Sequence, residues 1–384
     1  MRILKVLTVF GTRPEAIKMA PLVKELEKHP SAINCKVAVT AQHREMLDQV
    51  LELFQITPAY DLNIMLPNQT LYEITSRALT GLNEILEQEN PDIVLVHGDT
   101  TTTFVAGLAA FYRQIKVGHV EAGLRTGNKY SPFPEEMNRK LTGALADVHF
   151  APTTMAKTNL VNEGVDQESI LVTGNTVIDA LVATVKDNYS FNHQVLDAID
   201  YSRSRVLVVT THRRENLGEP MRNVYRALRD VVGRYEDVEV VFPVHKNPKV
   251  KQLVESILGG LPRVHLIDPL EYAPFVNLMN KAYLVLTDSG GLQEEAPSLG
   301  KPVLVLRDTT ERPEAIGAGT VRMVGTDQNV IFDTCKNLLE DAVEYKKMAN
   351  AVNPYGDGNA CIRIVEGLKY FFGIDSHKPK EFNI

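Results

Sequence analysis

Cysteine is scarce in this sequence, and long apolar runs are missing. Three cysteines occur among 384 residues, an odd number with no C-x-x-C spacing, so neither a disulfide framework nor a zinc site is expected. No segment has the length and apolarity of a transmembrane helix. The apolar run at the N-terminus is too short for a signal peptide and lacks a cleavage site of small residues. We therefore expect a soluble, cytoplasmic protein in a reducing compartment.

Strong positive charge and the common cofactor motifs are also absent. The formal net charge is −7, which argues against binding to nucleic acid or to an anionic membrane. The sequence contains no G-x-G-x-x-G, no Walker P-loop, no D-x-D pair and no H-E-x-x-H. These absences indicate neither a bound dinucleotide nor a carboxylate-held catalytic metal, so we expect no cofactor.

The sequence does contain a regular alternation of short β-branched apolar runs with longer helical patterns. This alternation predicts an α/β protein in which helices cover parallel sheets. Because 384 residues exceed what one core usually serves, and because the rhythm weakens between 187 and 205, we expect two Rossmann-like domains. The predicted boundaries are an N-terminal domain at 1–185, a C-terminal domain at 186–358, and a last segment at 359–384 whose helix packs back on the N-terminal domain.

The apolar runs predict twelve strands. Those of the first half are Leu4–Phe10, Lys36–Thr40, Ile93–His97, Val117–Glu121, His149–Ala151 and Ile170–Thr173. Those of the second half are Val206–Thr210, Val238–Val244, Val264–Ile267, Leu284–Thr287, Pro302–Leu306 and Thr320–Val324. In open α/β sheets, ligands bind beyond the carboxyl ends of the strands, so polar residues at these ends are the candidates for a site.

The turn after the first predicted strand carries cations. It reads Gly11-Thr12-Arg13-Pro14-Glu15, and Lys18 follows one helical turn later. Arg13 offers a planar fork that suits a phosphate. Cations at a helix N-terminus oppose the helix dipole, so this locally unfavourable choice favours a functional role over an ordinary surface helix start.

Carboxylates follow other strand ends of the first half. Asp99 comes after His97-Gly98, and Glu121 is flanked by small and apolar residues, where a solvated surface charge is hard to explain. Glu135 follows a loop that two prolines stiffen. These three are our candidates for acid–base chemistry. Two alternatives stay open, because Asp99 can be the N-cap of the next helix and Glu135 or Glu136 can be an ordinary first-turn acid.

The second half carries a turn suited to an anion. The segment Ser289-Gly290-Gly291 joins a strand to a helix, and backbone N–H groups at a helix N-terminus favour a phosphate. Glu294 or Glu295, further into the helix, can accept a hydrogen bond from a ribose hydroxyl. His212 with two following arginines forms a second cluster suited to an anion. The alternative interpretation of the Ser-Gly-Gly turn is a tight connection without a ligand.

Six motifs, taken in order, resemble those of the non-hydrolysing bacterial UDP-N-acetylglucosamine 2-epimerases. They are Gly11-Thr12-Arg13-Pro14-Glu15, His97-Gly98-Asp99-Thr100, His119-Val120-Glu121-Ala122-Gly123-Leu124-Arg125, His212-Arg213-Arg214-Glu215, Asp288-Ser289-Gly290-Gly291 and Glu311-Arg312-Pro313-Glu314. The match extends to Asn353-Pro354-Tyr355-Gly356, essentially the whole chain. The resemblance implies a GT-B fold whose two Rossmann-like domains face a central cleft, a homodimer, and cofactor-independent interconversion of UDP-N-acetylglucosamine and UDP-N-acetylmannosamine. It also implies elimination of UDP to a glycal, followed by re-addition.

The resemblance also assigns roles to residues of this chain. It implies that the diphosphate is held by Arg13, His212, Ser289, Gly290 and Gly291, with Arg312 nearby, and that His212 belongs to the catalytic set. It places Lys18, Asp99, Glu121 and Glu135 around the sugar, Glu295 at the ribose, and Phe275 and Leu270 at the uracil. Leu270 departs from the glutamine that many relatives carry.

The resemblance further implies a second, activating substrate site in some relatives. Gln42, Glu135, Arg213 and His245 match it, whereas Glu45 and Asn68 stand where those relatives carry glutamine and arginine. Three alternatives to the epimerase stay open. They are a GT-B glycosyltransferase with a UDP-sugar donor, a hydrolysing 2-epimerase, and a non-catalytic nucleotide-sugar sensor.

Overall fold

The computed structural model describes residues 3–42, 44–213, 216–310 and 312–383. These residues form two compact units. The first unit contains the described residues up to Ala183 together with Tyr355–Asn383, and the second contains Thr184–Pro354. The chain therefore enters the second unit once and returns to the first for its last segment.

The first unit is built on a seven-stranded parallel sheet with the order β3-β2-β1-β4-β5-β6-β7. Its strands are β1 (Leu4–Phe10), β2 (Ile33–Val39), β3 (Tyr60–Asp61), β4 (Ile93–His97), β5 (Lys116–Val120), β6 (Val148–Ala151) and β7 (Ile170–Val172). Its helices are α1 (Arg13–Glu27), α2 (Arg44–Leu53), α3 (Leu71–Glu89), α4 (Thr101–Tyr112), α5 (Glu135–Leu145), α6 (Thr154–Asn162) and α7 (Thr176–Thr184), the last of which ends in the first residue of the second unit. The central strand β4 is buried at every position, as expected for a parallel sheet covered on both faces.

The second unit contains a six-stranded parallel sheet with the order β10-β9-β8-β11-β12-β13. Its strands are β8 (Arg205–Thr210), β9 (Val238–Pro243), β10 (Val264–Ile267), β11 (Leu284–Thr287), β12 (Val303–Val305) and β13 (Val321–Met323). Its helices are α8 (Gln194–Ala198), α9 (Glu219–Arg234), α10 (Pro248–Leu258), α11 (Tyr272–Lys281), α12 (Gly290–Ser298), α13 (Pro313–Ala318), α14 (Gln328–Glu340) and α15 (Ala342–Ala349). Its core includes Tyr225 of α9 stacked edge-on against Phe242 of β9.

Both sheets have the Rossmann strand order, in which the chain reverses direction across the sheet beside its first strand. In the first unit this switch point lies between β1 and β4, and in the second unit it lies between β8 and β11. The prediction of an α/β protein with two parallel sheets is confirmed. All twelve predicted strands are present, with ends that differ by at most three residues, whereas the two-residue β3 was not predicted.

The last helix, α16 (Ala360–Phe371), belongs to the first unit and packs against α1. Its start is fixed by the buried Asp179, whose carboxylate accepts from the backbone N–H groups of Ala360 at 3.2 Å and Cys361 at 2.8 Å. Over the described residues, none of the helices combines the length and the apolar composition that crossing a membrane requires.

Candidate active site

The turn after β1 is fixed by a buried acid. Glu15 accepts hydrogen bonds from the backbone N–H groups of Gly11 at 3.0 Å and Thr12 at 2.8 Å, which is the capping-box arrangement. It also accepts from the hydroxyl groups of Thr100 at 2.6 Å, in the turn after β4, and Thr103 at 3.0 Å, in the first turn of α4. Burial raises the pKa of Glu15, although these hydrogen bonds oppose the rise. Glu15 therefore ties together the two turns that flank the switch point.

Glycine is required at position 11 of this turn. A Cβ at Gly11 would lie 1.9 Å from the Thr40 hydroxyl oxygen and 2.7 Å from that of Thr102. The close approach brings the start of α1 against the sheet and sets Arg13, its first residue, half-buried at the helix N-terminus. Lys18 lies further along the same helix and is also half-buried.

Glu121 lies directly beyond β5 in an unusual backbone conformation. Its φ is 60°, in the left-handed region that costs a residue with a side chain about 1–2 kcal/mol. This conformation ends the strand at Val120, one residue before the predicted end. Hydrogen bonds from Gly98 N–H to Val120 O at 2.8 Å and from Ala122 N–H to Phe150 O at 3.1 Å hold the backbone on both sides. Strain that the surroundings maintain in this way is typical of functional sites.

The carboxylate of Glu121 is held by a cation and an amide. Its Oε2 forms an ion pair with Lys18 Nζ and accepts a hydrogen bond from Asn175 Nδ2 at 2.8 Å. Its Oε1 lies toward Gly98, where a Cβ would be 3.4 Å away. Lys18 and Glu121, two of the residues predicted to lie around the sugar, are thus brought together. They lie next to Gly98, the residue that precedes Asp99.

Two buried histidines lie close to Glu121 and Gly98. His97 Nε2 is 3.8 Å from Glu121 Oε2, and His119 Nε2 is 2.7 Å from the Gly98 carbonyl oxygen. Burial lowers the pKa of His97 to about 4 and that of His119 to about 3, so neither ring carries charge near neutral pH. The two rings therefore contact Glu121 and Gly98 as neutral groups, and Lys18 is the cation that pairs with the Glu121 carboxylate.

Asp99 is held by α5. Its side chain forms an ion pair with Arg139, and its backbone carbonyl accepts from Asn138 Nδ2 at 2.9 Å. The N-cap of α4 is Thr100, whose hydroxyl accepts from Thr103 N–H at 3.1 Å, so the alternative of Asp99 as the cap is wrong.

The two glutamates that open α5 have different surroundings. Glu136 is fully buried, accepts from the N–H groups of Thr126 at 3.1 Å and Gly127 at 3.0 Å, and forms an ion pair with Arg139. Glu136 therefore fixes the loop that precedes α5. Glu135, the first residue of the helix, is half-buried instead. This contrast leaves Glu135 as the glutamate of this turn with the better access to a ligand.

In the second unit, the switch point is organised by the fully buried Asp288. One carboxylate oxygen accepts from the backbone N–H groups of His212 at 2.8 Å and Arg213 at 2.9 Å. The other lies 2.8 Å from His212 Nδ1. Burial acts to raise the pKa of Asp288, but the His212 ring and these N–H groups outweigh it and hold the pKa below its ordinary value. An ionised Asp288 thus fixes the orientation of the His212 ring.

The segment Ser289-Gly290-Gly291 begins α12. Ser289 is the N-cap in position, yet its hydroxyl makes no capping hydrogen bond to the helix. The first N–H groups of a helix have no partner within the helix, so they point toward a potential anion. A Cβ at Gly290 would meet nothing within 4 Å, which shows that space lies open beside the backbone at this point.

Two acids of α12 have different positions. Glu294 is buried and forms an ion pair with Arg312, whose backbone N–H donates to Thr310 Oγ1 at 3.1 Å. Glu295 is half-buried, and its Oε1 lies 3.6 Å from the position of a Cβ on Gly291. Of the two glutamates proposed for a ribose, Glu294 orients Arg312, and Glu295 lies beside the glycine turn.

The remaining predicted residues lie at other places. Leu270, two residues before α11, and Phe275, in the first turn of that helix, are half-buried. His245 follows β9 and stacks on His212, with ring centroids 6.1 Å apart. Gln42, in the first unit, has its amide oxygen 3.5 Å from Thr102 Oγ1. Three residues of the quoted motifs, Arg214, Glu215 and Glu311, lie outside the described residues.

Sequence reasoning missed three residues that organise these turns, namely Glu15, Asn175 and Asp288. The Thr12-x-x-Glu15 spacing of a capping box was available as a signal for the first. Asp288 stood next to the Ser-Gly-Gly turn, but its partner His212 is 76 residues away. Asn175 is 54 residues from Glu121, and no local pattern indicates that contact.

Comparisons with known proteins agree with one family. The profile of the family UDP-N-acetylglucosamine 2-epimerase matches residues 24–369. The UDP-N-acetylglucosamine 2-epimerase of Bacillus subtilis (strain 168) is 61% identical over 382 residues, covering 100% of this chain and 99% of that protein.

Solved structures give the same result. A crystal structure of UDP-N-acetylglucosamine 2-epimerase has a TM-score of 0.93 and 59% identity, with 100% of both chains covered. The UDP-GlcNAc 2-epimerase from Neisseria meningitidis, bound to UDP-GlcNAc, has a TM-score of 0.85 and 55% identity, covering 95% of this chain and 99% of that chain. The GT-B-like fold that the motifs implied is confirmed. This chain belongs to the UDP-N-acetylglucosamine 2-epimerase family.

Proposed function

We propose that this protein interconverts UDP-N-acetylglucosamine and UDP-N-acetylmannosamine by the non-hydrolysing route, without a cofactor. The observation that carries the proposal is Glu121, a carboxylate held on a strained backbone by Lys18 and Asn175 at a strand end. The UDP-GlcNAc bound to the Neisseria meningitidis relative supports the same substrate here.

Direct proton removal does not explain inversion at C2. The C2 proton of the sugar is not next to a carbonyl group, so a carboxylate alone cannot generate a stable carbanion there. Elimination solves this difficulty. A base takes the C2 proton, the C2–H electron pair forms a C1–C2 double bond, and the C1–O bond breaks so that UDP leaves with its electron pair. UDP then attacks C1 of the glycal while an acid delivers a proton to the opposite face of C2.

The first unit supplies the groups for proton transfer in this scheme. Asp99, Glu121 and Glu135 are the candidates for base and acid, and Lys18 balances the charge of Glu121. General acid–base catalysis by positioned side chains is typically worth about 10²–10⁴-fold in rate.

The second unit supplies the groups for the leaving diphosphate. The N-terminus of α12 at Ser289-Gly290-Gly291, the His212 ring and Arg312 offer N–H donors and positive charge. Such groups stabilise charge that develops on a departing phosphate oxygen. We assign Arg13 to the same diphosphate, Glu295 to the ribose, and Leu270 and Phe275 to the uracil pocket. The two compact units are, in this proposal, the functional domains.

Three further properties belong to the proposal. The protein acts as a homodimer in the cytoplasm, and a second substrate molecule activates it through Gln42, Glu135, Arg213 and His245. Activation predicts a sigmoidal rise of the initial rate with UDP-N-acetylglucosamine concentration. A linear rise at low concentration would count against the second site.

Incubation with UDP-N-acetylglucosamine in deuterated water, followed by NMR, tests the proposed reaction. The expected result is deuterium at C2 of both UDP-sugars, with UDP-N-acetylmannosamine formed and no acceptor present. Accumulation of UDP and free N-acetylmannosamine would instead identify the hydrolysing reaction. No turnover until an acceptor is added would identify a glycosyltransferase.

A further inference from the structure

Asn175 makes polar contacts that serve different purposes. It is buried and immediately precedes α7. Its backbone N–H donates to the Tyr355 carbonyl oxygen at 2.7 Å, and its Oδ1 accepts from Val177 N–H at 3.1 Å. Its Nδ2 donates to Glu121 Oε2 at 2.8 Å. One side-chain atom thus caps the start of α7, and the other holds the carboxylate.

The backbone of Asn175 is fixed by the segment that follows the return of the chain to the first unit. Tyr355, the first residue after that return, is buried and accepts the N–H of Asn175. The preceding Gly174 has a φ of 84°, and a Cβ there would lie 3.2 Å from Gly356 Cα. Because the backbone is held on both sides, the amide of Asn175 has little freedom to follow a moving carboxylate. It sets where Glu121 Oε2 lies.

We propose that Asn175 is a positioning residue for Glu121, and this inference rests on the acid–base role proposed for that glutamate. Lys18 supplies the charge that offsets Glu121, but an ammonium group on a flexible stem defines position poorly. The amide is a neutral donor on a rigid backbone, and it fixes Oε2 without adding charge. A hydrogen bond to the charged form also favours the ionised carboxylate that a base requires.

The two sides of the Asn175 amide permit a test that separates capping from positioning. Asn175→Asp keeps an oxygen that caps α7, because Asp is as good an N-cap as Asn. It removes the Nδ2 donor and sets a second carboxylate against Glu121. Asn175→Ser also keeps a capping oxygen but removes the donor without adding charge.

Two comparison variants complete the experiment. Asn159→Ala is the matched control, because Asn159 Nδ2 donates at 3.0 Å to the carbonyl oxygen of Gly123, two residues beyond Glu121, without contact to the carboxylate. Glu121→Gln tests the acid–base role itself. For the four variants and the parent, we would measure kcat and KM for UDP-N-acetylglucosamine from pH 5 to 9, together with the thermal unfolding midpoint.

If Asn175 positions Glu121, both Asn175 variants lose about 100-fold in kcat, the cost typical of misplacing a reacting group by about 1 Å. KM changes little, and the unfolding midpoint of Asn175→Ser stays close to that of Asn159→Ala. In Asn175→Asp the acid limb of the kcat profile also moves to higher pH, because like charges favour protonation. The discriminating result is the loss of kcat in Asn175→Ser without a matching change in KM or in the unfolding midpoint, because a merely structural cap would not give it.

The results that overturn the inference are distinct from those that overturn the proposed function. If Glu121→Gln is inactive while Asn175→Ser matches Asn159→Ala in kcat and pH profile, Asn175 is only a helix cap. If Glu121→Gln retains nearly normal kcat, the acid–base role of Glu121 is wrong, and the positioning role falls with it.

Discussion

Replacing the fully buried Asp288 by asparagine should weaken UDP binding through the His212 ring. In the parent, one carboxylate oxygen accepts both backbone N–H groups and the other faces His212 Nδ1 at 2.8 Å. The amide oxygen introduced by Asp288→Asn can retain the two N–H groups, so the amide NH₂ must face the ring. An NH₂ group cannot accept a hydrogen bond from Nδ1. The ring must then carry its proton on Nε2, and it loses the carboxylate that fixes its orientation.

The structure sets the size of this effect. His212 Nδ1 lies 2.8 Å from an oxygen of the buried Asp288 carboxylate, and a contact of this kind with a charged group contributes about 1.5–3 kcal/mol. Because each 1.4 kcal/mol corresponds to a factor of ten in affinity, the dissociation constant for UDP should rise by about 10- to 100-fold. The two backbone hydrogen bonds are kept, so the second unit should remain folded.

Isothermal titration calorimetry with UDP at pH 7 measures the effect directly. Asp179→Asn is the matched control, because Asp179 is another buried carboxylate that accepts two backbone N–H groups, from Ala360 and Cys361, in the first unit. We expect Asp179→Asn to change stability without changing UDP affinity. Equal UDP affinity in Asp288→Asn and the parent, with both proteins folded by circular dichroism, would refute the role assigned to the buried carboxylate.

Three other perturbations probe the first unit. Asp99→Asn, Glu121→Gln and Glu135→Gln should each lower kcat by roughly 10²–10⁴-fold. Nearly normal rates in all three variants would exclude acid–base roles for these residues. Gly11→Ala should lower the free energy of unfolding by about 1–3 kcal/mol in urea titrations, because the new Cβ would lie 1.9 Å from the Thr40 hydroxyl oxygen. Gly233→Ala is the control and should not lower the free energy of unfolding, because its Cβ would meet nothing within 4 Å. Because His97 and His119 have pKa values of about 4 and about 3 when folded, the unfolded chain binds more protons below its ordinary histidine pKa. The free energy of unfolding should therefore decrease as the pH is lowered below about 6.5, by about 1.4 kcal/mol per ring at pH 5.5. The urea midpoint of His119→Asn should fall less between pH 7.5 and pH 5.5 than that of the parent.

The fold was largely predictable because parallel strands buried on both faces leave a local signature. β4 and β11 are continuous apolar runs and were predicted with their observed ends. β2 begins three residues before its predicted start, since that first part is not a buried apolar run: Asn34 is exposed and Cys35 is half-buried. β3 has two residues and forms by pairing with β2, so its short sequence carries no pattern of its own.

The site was predictable only in part, because its geometry depends on contacts between distant residues. Strand ends indicated Glu121 and the Ser-Gly-Gly turn, since position in the sheet follows from the order of strands. The left-handed backbone of Glu121 was not foreseeable, because glutamate has no preference for it and the surrounding hydrogen bonds impose it. The partners Asn175 and Asp288 lie 54 and 76 residues from the groups that they hold.

The more exposed member of each ion pair indicates which charge a unit offers to a ligand. In the second unit, the acids Asp288 and Glu294 are buried, and their partners His212 and Arg312 are the more exposed members. A buried charge costs stability unless it is paired, so these acids are well placed to fix the His212 ring and the Arg312 guanidinium in position. A ligand of this unit therefore meets the His212 ring and the Arg312 guanidinium before the two acids.

The pairs of the first unit give a different result. The Lys18 side chain is 19% exposed against 8% for Glu121, whereas the Asp99 side chain is 25% exposed against 12% for Arg139. One pair thus offers its cation and the other its acid. A site that only bound an anion would have no use for an exposed carboxylate, because that charge would repel the ligand. A site that removes the proton from C2 of the sugar while the diphosphate leaves C1 requires both a cation and a carboxylate. The exposure of Asp99 relative to Arg139 therefore favours catalysis over a nucleotide-sugar sensor, and the mixed charge of the first unit follows from the elimination proposed for it.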